Sequence, residues 1–200
     1  AHIFTPHKGI YGSCSDRIAH ILDLDGIAAV ELGLSADAEM AGWISELDRF
    51  PLLTNSDAHS LRKIAREYNE FVLEEPTFTE WKMALEAKNG RRIAANYGLH
   101  PRLGKYHRTW CETCKRILDT DETVAISCPY CGGTHIVRGV MDRIRHIADR
   151  DKPMMPAGRP PYHYQIPLEF IPGIGRRTME RLLERFGTEM NILHRSTESD

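Results

Sequence analysis

Phe50-Pro51-Leu52-Leu53-Thr54-Asn55-Ser56-Asp57-Ala58-His59-Ser60 is the stretch on which the reading of this 200-residue chain turns. Its first half is a short apolar run, too short for a helix of ordinary length, and reads as a buried strand. The polar residues from Ser56 to Ser60 then leave the strand end as a loop. Downstream, Leu61, Ile64, Ala65, Tyr68, Phe71 and Val72 recur at helical spacing, which predicts a helix over 60–73. Upstream, Ile27-Ala28-Ala29-Val30-Glu31-Leu32 reads as a second buried strand. Pro76-Thr77 to Asn89-Gly90 carries the proline start and glycine stop of another helix, and a further helix is expected from Val140 to Asp149. Short strands alternating with helices make the fold class α/β. In such folds ligand-binding loops gather at the C-terminal ends of strands. Asp57 and His59, at i and i+2 of such a loop, project to one side and suit a shared metal ion; a polar helix cap is the plainer reading of the same residues.

The composition, 42% hydrophobic and 27% charged, is that of a folded globular chain and excludes disorder, collagen-like repeats and coiled coil. No apolar run approaches the roughly 20 residues of a membrane-spanning helix, and no basic region followed by an apolar core opens the chain. Membrane insertion and secretion are therefore not expected. The chain opens without methionine on the strand-like Ala1-His2-Ile3-Phe4, so the natural protein is expected to begin further upstream.

Four of the five cysteines fall as Cys111-x-x-Cys114 and Cys128-x-x-Cys131. Each pair forms a tight turn aiming two thiolates at one tetrahedral cation, and four thiolates leave no open coordination position. The spacing points to structural Zn2+, with a disulfide or redox dithiol as the alternative; a chain without a secretory signal favours metal. Cys14 is left over as an ordinary small side chain.

The net charge of −2 conceals an uneven distribution. Residues 1–90 hold 8 Lys/Arg against 15 Asp/Glu, whereas 91–116 hold Arg91, Arg92, Arg102, Lys105, Arg108, Lys115 and Arg116 against Glu112 alone. A basic block of this kind serves phosphates or forms a solvated loop. Arg102, Lys105 and Arg108, flanking the cysteine module, are the candidates for phosphate contacts. After a linker containing Pro153, Pro156, Pro160 and Pro161, the segment Leu168-Glu169-Phe170-Ile171-Pro172-Gly173-Ile174-Gly175, followed by 176–186, resembles a helix-hairpin-helix element. Gly173 and Gly175 allow the hairpin, and Arg176 and Arg177 add charge at a helix start whose free N–H groups suit phosphate. Burial of one apolar helix face by Met179, Leu182, Leu183 and Phe186 is the alternative role. The expected organisation is thus 1–105 as an α/β part, 106–140 as a four-cysteine module, and 141–200 as a linker and helical tail.

Ala1-His2-Ile3-Phe4-Thr5-Pro6-His7-Lys8-Gly9 and the Leu52–Ser60 stretch resemble the later metal-binding motifs of PHP-type metallohydrolases. With Val30-Glu31-Leu32-Gly33-Leu34-Ser35-Ala36-Asp37, the cysteine module and Ile171-Pro172-Gly173-Ile174-Gly175 in this order, nearly the whole chain resembles the C-terminal half of the endonuclease Q family. The resemblance implies the C-terminal part of a distorted β/α barrel. It implies a metal-dependent DNA repair endonuclease nicking 5′ of deaminated bases (hypoxanthine, uracil, xanthine) and at abasic sites. His2, Asp57 and His59 match metal-ligand and catalytic positions, for Zn2+, Mg2+ or Mn2+; Glu31 and His7 are candidates for supporting the site. Together with the free thiols, the resemblance implies the cytoplasm. The family's early Asp-x-His-x-His motif is not in these residues. The resemblance therefore implies that this chain carries part of the cluster, the remaining barrel half lying upstream in the same polypeptide or in another chain. A non-catalytic zinc-ribbon nucleic-acid-binding module and a phosphoesterase for small phosphates are the alternatives.

Overall fold

A computed structural model describes residues 1–104, 106–118, 127–195 and 197. Its strands are β1 (Val30–Glu31), β2 (Leu52–Leu53), β3 (Tyr68–Val72), β4 (Arg92–Leu99), β5 (Trp110–Cys111), β6 (Ile136–Val137) and β7 (Tyr162–Gln165). Its helices are α1 (Ala38–Ala41), α2 (Phe78–Leu85), α3 (Val140–Ile147), α4 (Arg176–Phe186) and α5 (Glu189–Arg195). β1 and β2 pair in parallel, Val30 opposite Leu52 and Glu31 opposite Leu53. The central sheet runs β3-β4-β7, antiparallel then parallel, and β5 with β6 forms a separate antiparallel ribbon. The fold is mixed α/β, as the alternation of elements predicts.

The main core gathers around the β1–β2 pair, where Phe4, Tyr11, Ile18, Leu32, Ile44, Leu47 and Leu52 are buried with Val140, Ile144 and Ile147 of α3. α3 thus returns across the cysteine module to the first segment of the chain. Arg143 fixes it there, donating from Nε to the Tyr11 carbonyl at 2.7 Å and pairing with Asp16 at 2.5 Å. Asp149 continues the seam by accepting from the Ser45 N–H and hydroxyl at 2.9 and 2.7 Å. Beyond it, β7 lies in the segment read as linker and tail, and pairs with β4 from Asn96–Tyr162 to Leu99–Gln165.

Three local readings are corrected. The helix expected over 60–73 is a 3-10 turn at Leu61–Lys63 followed by β3. Leu61 and Ile64 are 87% and 60% exposed, so the helical spacing marks no buried face; Tyr68-Asn69-Glu70-Phe71-Val72 instead meets β4, and cross-strand packing overrides local periodicity. The second correction is β4 itself, since Arg92 begins the longest strand rather than lying in a loop. Third, Ala1–Phe4 forms a turn against β1, with only the Ile3 N–H bonded to the Glu31 carbonyl at 3.0 Å. α2 starts where predicted, Thr77 accepting from the Glu80 N–H at 3.3 Å, and ends by Leu85. Among the described residues no helix is long and apolar enough to cross a membrane.

Candidate functional site

Three chain segments lie side by side at the C-terminal ends of β1 and β2. The Ile3 N–H reaches the Glu31 carbonyl, and the Leu32 N–H reaches the Leu53 carbonyl at 3.0 Å, so His2, Glu31 and the 54–57 turn arrive at one edge. There His2 Nε2 lies 3.7 Å from Asp57 Oδ2, with the imidazole mostly covered and the carboxylate about half exposed. Both residues, and His7, occupy the left-handed backbone region, at φ +51°, +46° and +71°. For side chains other than glycine this conformation costs on the order of 1 kcal/mol or more and persists only where surrounding structure enforces it. Gly33 also has positive φ, +81°; a Cβ there would stand 3.1 Å from His2 Nδ1 and 3.2 Å from Thr5 Oγ1. Gly9 presses on the other side, where a Cβ would meet the His2 and Ile3 carbonyls at 2.4 Å.

His59 follows in the same loop, exposed, with its Nδ1 2.7 Å from the Asp57 carbonyl. His2 and Asp57 form a pair, and His59 does not close with them into a compact three-ligand set: among the described residues, the cysteines alone form such a set. The pair fits one side of a cation's shell, an imidazole and a carboxylate, and needs further ligands to enclose it. His7 packs edge-on against Tyr106 at 6.3 Å between ring centres. Glu31 is half-buried at the end of β1.

The four cysteines do close. Their ligand atoms all lie within 4.8 Å of one another, with Cys111–Cys131 at 3.7 Å and Cys114–Cys128 at 3.6 Å. Zinc–sulfur bonds of about 2.3 Å in a tetrahedron set sulfurs about 3.8 Å apart, the spacing at which the Cys111–Cys131 and Cys114–Cys128 pairs already stand. Each Cys-x-x-Cys turn is closed by the backbone, through Lys115 N–H to Cys111 carbonyl at 3.0 Å and Gly132 N–H to Cys128 carbonyl at 2.8 Å. The residues after each turn, Lys115 and Gly132, have φ of +59° and +70°. Backbone N–H groups of Cys114 and Thr113 bring the Cys111 thiol down to about 6, whereas burial and the neighbouring thiols push Cys114 up to about 12, so the cage is only partly thiolate until a cation holds all four deprotonated.

The basic residues separate by partner. Arg91 is half-buried, bonding Glu80 through Nε and Nη2 at 2.8 and 3.0 Å and Glu74 at 2.5 Å. Arg108 lies 3.1 Å from Asp142 Oδ1 at the start of α3. Arg102 is exposed with no ion-pair partner among the described residues, and Lys105 lies outside them. In the tail, Gly173 takes φ +89° and Gly175 precedes α4 without a side-chain cap. Arg176 pairs with Glu180 at 2.9 Å, while Arg177 points to solvent. A cavity of about 550 Å³ lies between Leu61–Arg66 and the α4–α5 tail.

Sequence reasoning missed Gly33, Asn69 and Asn96. Gly33 was readable only as part of a motif; the asparagines sit in β3 and β4, whose strands the sequence concealed.

No model of a known protein family matches the chain. Bacillus subtilis YqxK is 48% identical over the whole of this chain and 51% of its own length, and Methanocaldococcus jannaschii MJ0043 is 39% identical over 82% of the chain and 23% of its own length. The chain thus spans about half, or less, of the curated relatives it matches. Among solved structures, the lesion-specific endonuclease PfuEndoQ of Pyrococcus furiosus superposes with TM-score 0.83 at 36% identity, over 98% of this chain and 52% of that one. Endonuclease Q in complex with a 27-mer duplex bearing an abasic lesion at the active site superposes equally well, TM-score 0.83 at 37% identity, over 97% of this chain and 52% of that one. In sequence and in fold, the structural neighbours of this chain are endonuclease Q enzymes, matched over about half their length as a C-terminal half would be.

Proposed function

We propose that this chain is the C-terminal half of a metal-dependent DNA repair endonuclease that nicks 5′ of deaminated bases and abasic sites. The observation that carries the reading is the His2–Asp57 pair, set at strand ends in a chain that superposes along nearly its full length on a lesion endonuclease. In this reading residues 1–105 are part of a PHP-type barrel and 106–140 hold structural zinc, while the tail is a helix-hairpin-helix element touching DNA. His2, Asp57 and His59 supply part of a divalent-cation cluster, with Glu31 and His7 beside it, and the upstream half or another chain supplies the remainder. A divalent cation held there, Zn2+, Mg2+ or Mn2+, would supply Lewis acidity, lowering the pKa of a water for attack on phosphorus. Asp57 contributes the charge that offsets the cation, and His2 and His59 contribute neutral nitrogen donors. The flank of the cysteine module, with Arg102, Lys105 and Arg108, lines the DNA, and the hairpin with Gly173, Gly175, Arg176 and Arg177 holds a phosphate. The cytoplasm, where thiols stay reduced, is the proposed location.

The test is end-labelled duplex DNA with one deoxyinosine or one abasic site, incubated with Mg2+ or Mn2+ and either this chain alone or the chain joined to its upstream half. A nick 5′ of the lesion by the joined protein alone is the expected result. No lesion-dependent nick by either protein overturns it and leaves a zinc-ribbon DNA-binding module.

A further inference from the structure

β2 ends where the Asp57 loop begins, and among the described residues no further strand pairs with its outer edge. Two asparagine side chains stand at that edge instead. Asn69 of β3 accepts from the Thr54 N–H through Oδ1 at 2.9 Å and donates from Nδ2 to the Thr54 carbonyl at 2.8 Å. A carboxamide presents one acceptor and one donor side by side, as a peptide group does, so this side chain satisfies both backbone groups of Thr54 as an adjoining strand would. The same Nδ2 lies 3.1 Å from Asn55 Oδ1, holding the next residue of the loop as well. Asn96 of β4, fully buried and in register with Asn69, donates from Nδ2 to the Leu52 carbonyl at 3.1 Å and to Asn69 Oδ1 at 2.7 Å.

The central sheet is therefore coupled to the end of β2 through two side chains, and the coupling acts three residues before Asp57. We infer that Asn69 is a positioning residue: through its double hydrogen bond to Thr54 it sets the departure of the loop that brings Asp57 to His2. The inference rests on the reading of that loop as a cation-binding loop, and it assigns to Asn69 no contact with the cation or with DNA. The bonds to Thr54 fix the direction in which the chain leaves β2, and Asp57, at positive φ, has little freedom of its own to compensate. Buried Thr54 has no water to replace the lost partner.

Asn69→Asp retains the acceptor and the volume and loses both donated bonds; Asn69→Leu loses all of them. Two measurements separate positioning from mere support of the fold. In this chain, amide hydrogen exchange of Thr54, whose N–H Asn69 accepts, rises at least tenfold in Asn69→Leu while the β4 amides stay protected. In the joined protein, the Mn2+ concentration for half-maximal nicking rises at least tenfold in Asn69→Asp, with the rate at saturating Mn2+ within about threefold of wild type. An unchanged Mn2+ requirement, or a loss of β4 protection equal to that of the loop, overturns the proposal. Should the wild-type joined protein nick no lesion, the endonuclease reading fails, and half-saturation of Mn2+ binding, followed by its spin resonance, replaces nicking in judging Asn69 under the same tenfold criterion.

Discussion

His2 Nε2 and Asp57 Oδ2 face one another at 3.7 Å, and each side chain is delivered by a residue in left-handed backbone. Strain at both members of one pair is uncommon, because an L-residue gains nothing from positive φ unless the fold requires its side chain there. The arrangement makes the pair rigid from the backbone outward, which suits a ligand pair more than a surface ion pair.

Asp57 can accordingly be removed without loss of stability. Asp57→Gly relaxes the backbone at φ +46° and leaves the thermal midpoint of the chain equal to or above wild type. In the joined protein it abolishes lesion nicking, as does His59→Ala. Undiminished turnover in either variant, with the metal content unchanged, would falsify the ligand assignment.

Zinc is expected to hold the 106–118 and 127–137 region together, since the small core there consists of Cys111, Leu118 and Cys128, with Cys114 and Ile136 packed against it. Four thiolates and so few apolar side chains cannot fold without the ion. Metal analysis should find one tightly bound zinc per chain, and Cys128→Ser should lose it. Chelation should raise hydrogen exchange across β5 and β6 while α3, seated in the main core, keeps its protection.

The basic residues divide into those that bind the fold and those available to DNA. Arg102→Glu should weaken duplex binding and lower the slope of log affinity against log salt by about 1 or more, with no change in thermal midpoint. Arg91→Glu should do the reverse, because Arg91 is engaged by Glu80 and Glu74: the midpoint falls and the salt slope stays. Fluorescence anisotropy across a salt series and thermal melts decide between them.

The two strands around the strand-end loop, the starts of α2, α3 and α4, and the cysteine cage were legible because each depends on neighbours close in sequence. β3 was not, since Tyr68, Phe71 and Val72 fit a helical stripe as well as a strand, and only pairing with β4 chooses. β4 was hidden behind the charge of Arg91 and Arg92, which looked like an exposed basic loop; in fact Arg91 is held by Glu80 and Glu74. Asp57 and His59 were recognisable by type and spacing, but the left-handed turn that brings Asp57 to His2, and the asparagine bonds behind it, arise from tertiary contact and leave no periodic trace.

His107 provides a pH dependence. Burial and the nearby Arg102 and Arg108 guanidiniums depress its pKa below 6.5, against the opposing pull of Asp142 and Asp37, and its Nδ1 is buried without a hydrogen-bond partner. The folded chain therefore refuses a proton that the unfolded chain accepts below about pH 6.5, so its contribution is complete above that pH and is lost as pH falls toward the folded value. His107→Leu removes this term. The fall in thermal midpoint between pH 7.5 and 5.5 should be smaller in the variant than in wild type; an identical fall would show that His107 titrates freely.

Gly33 and Gly90 offer a matched comparison for the space around His2. Both have φ near +80°, at +81° and +79°, so alanine at either site incurs backbone strain on the order of 1 kcal/mol. They differ in surroundings: a Cβ at Gly90 meets nothing within 4 Å, whereas one at Gly33 stands 3.1 Å from His2 Nδ1 and 3.6 Å from His2 Cα. Gly90→Ala should lower stability and leave nicking by the joined protein untouched. Gly33→Ala should lower stability by at least as much and also displace the imidazole, raising the cation concentration needed for half-maximal nicking. If the two variants match in both stability and cation requirement, His2 tolerates a shifted ring and its place in the cluster is wrong; if only Gly33→Ala raises the requirement, the imidazole is held where the cation needs it.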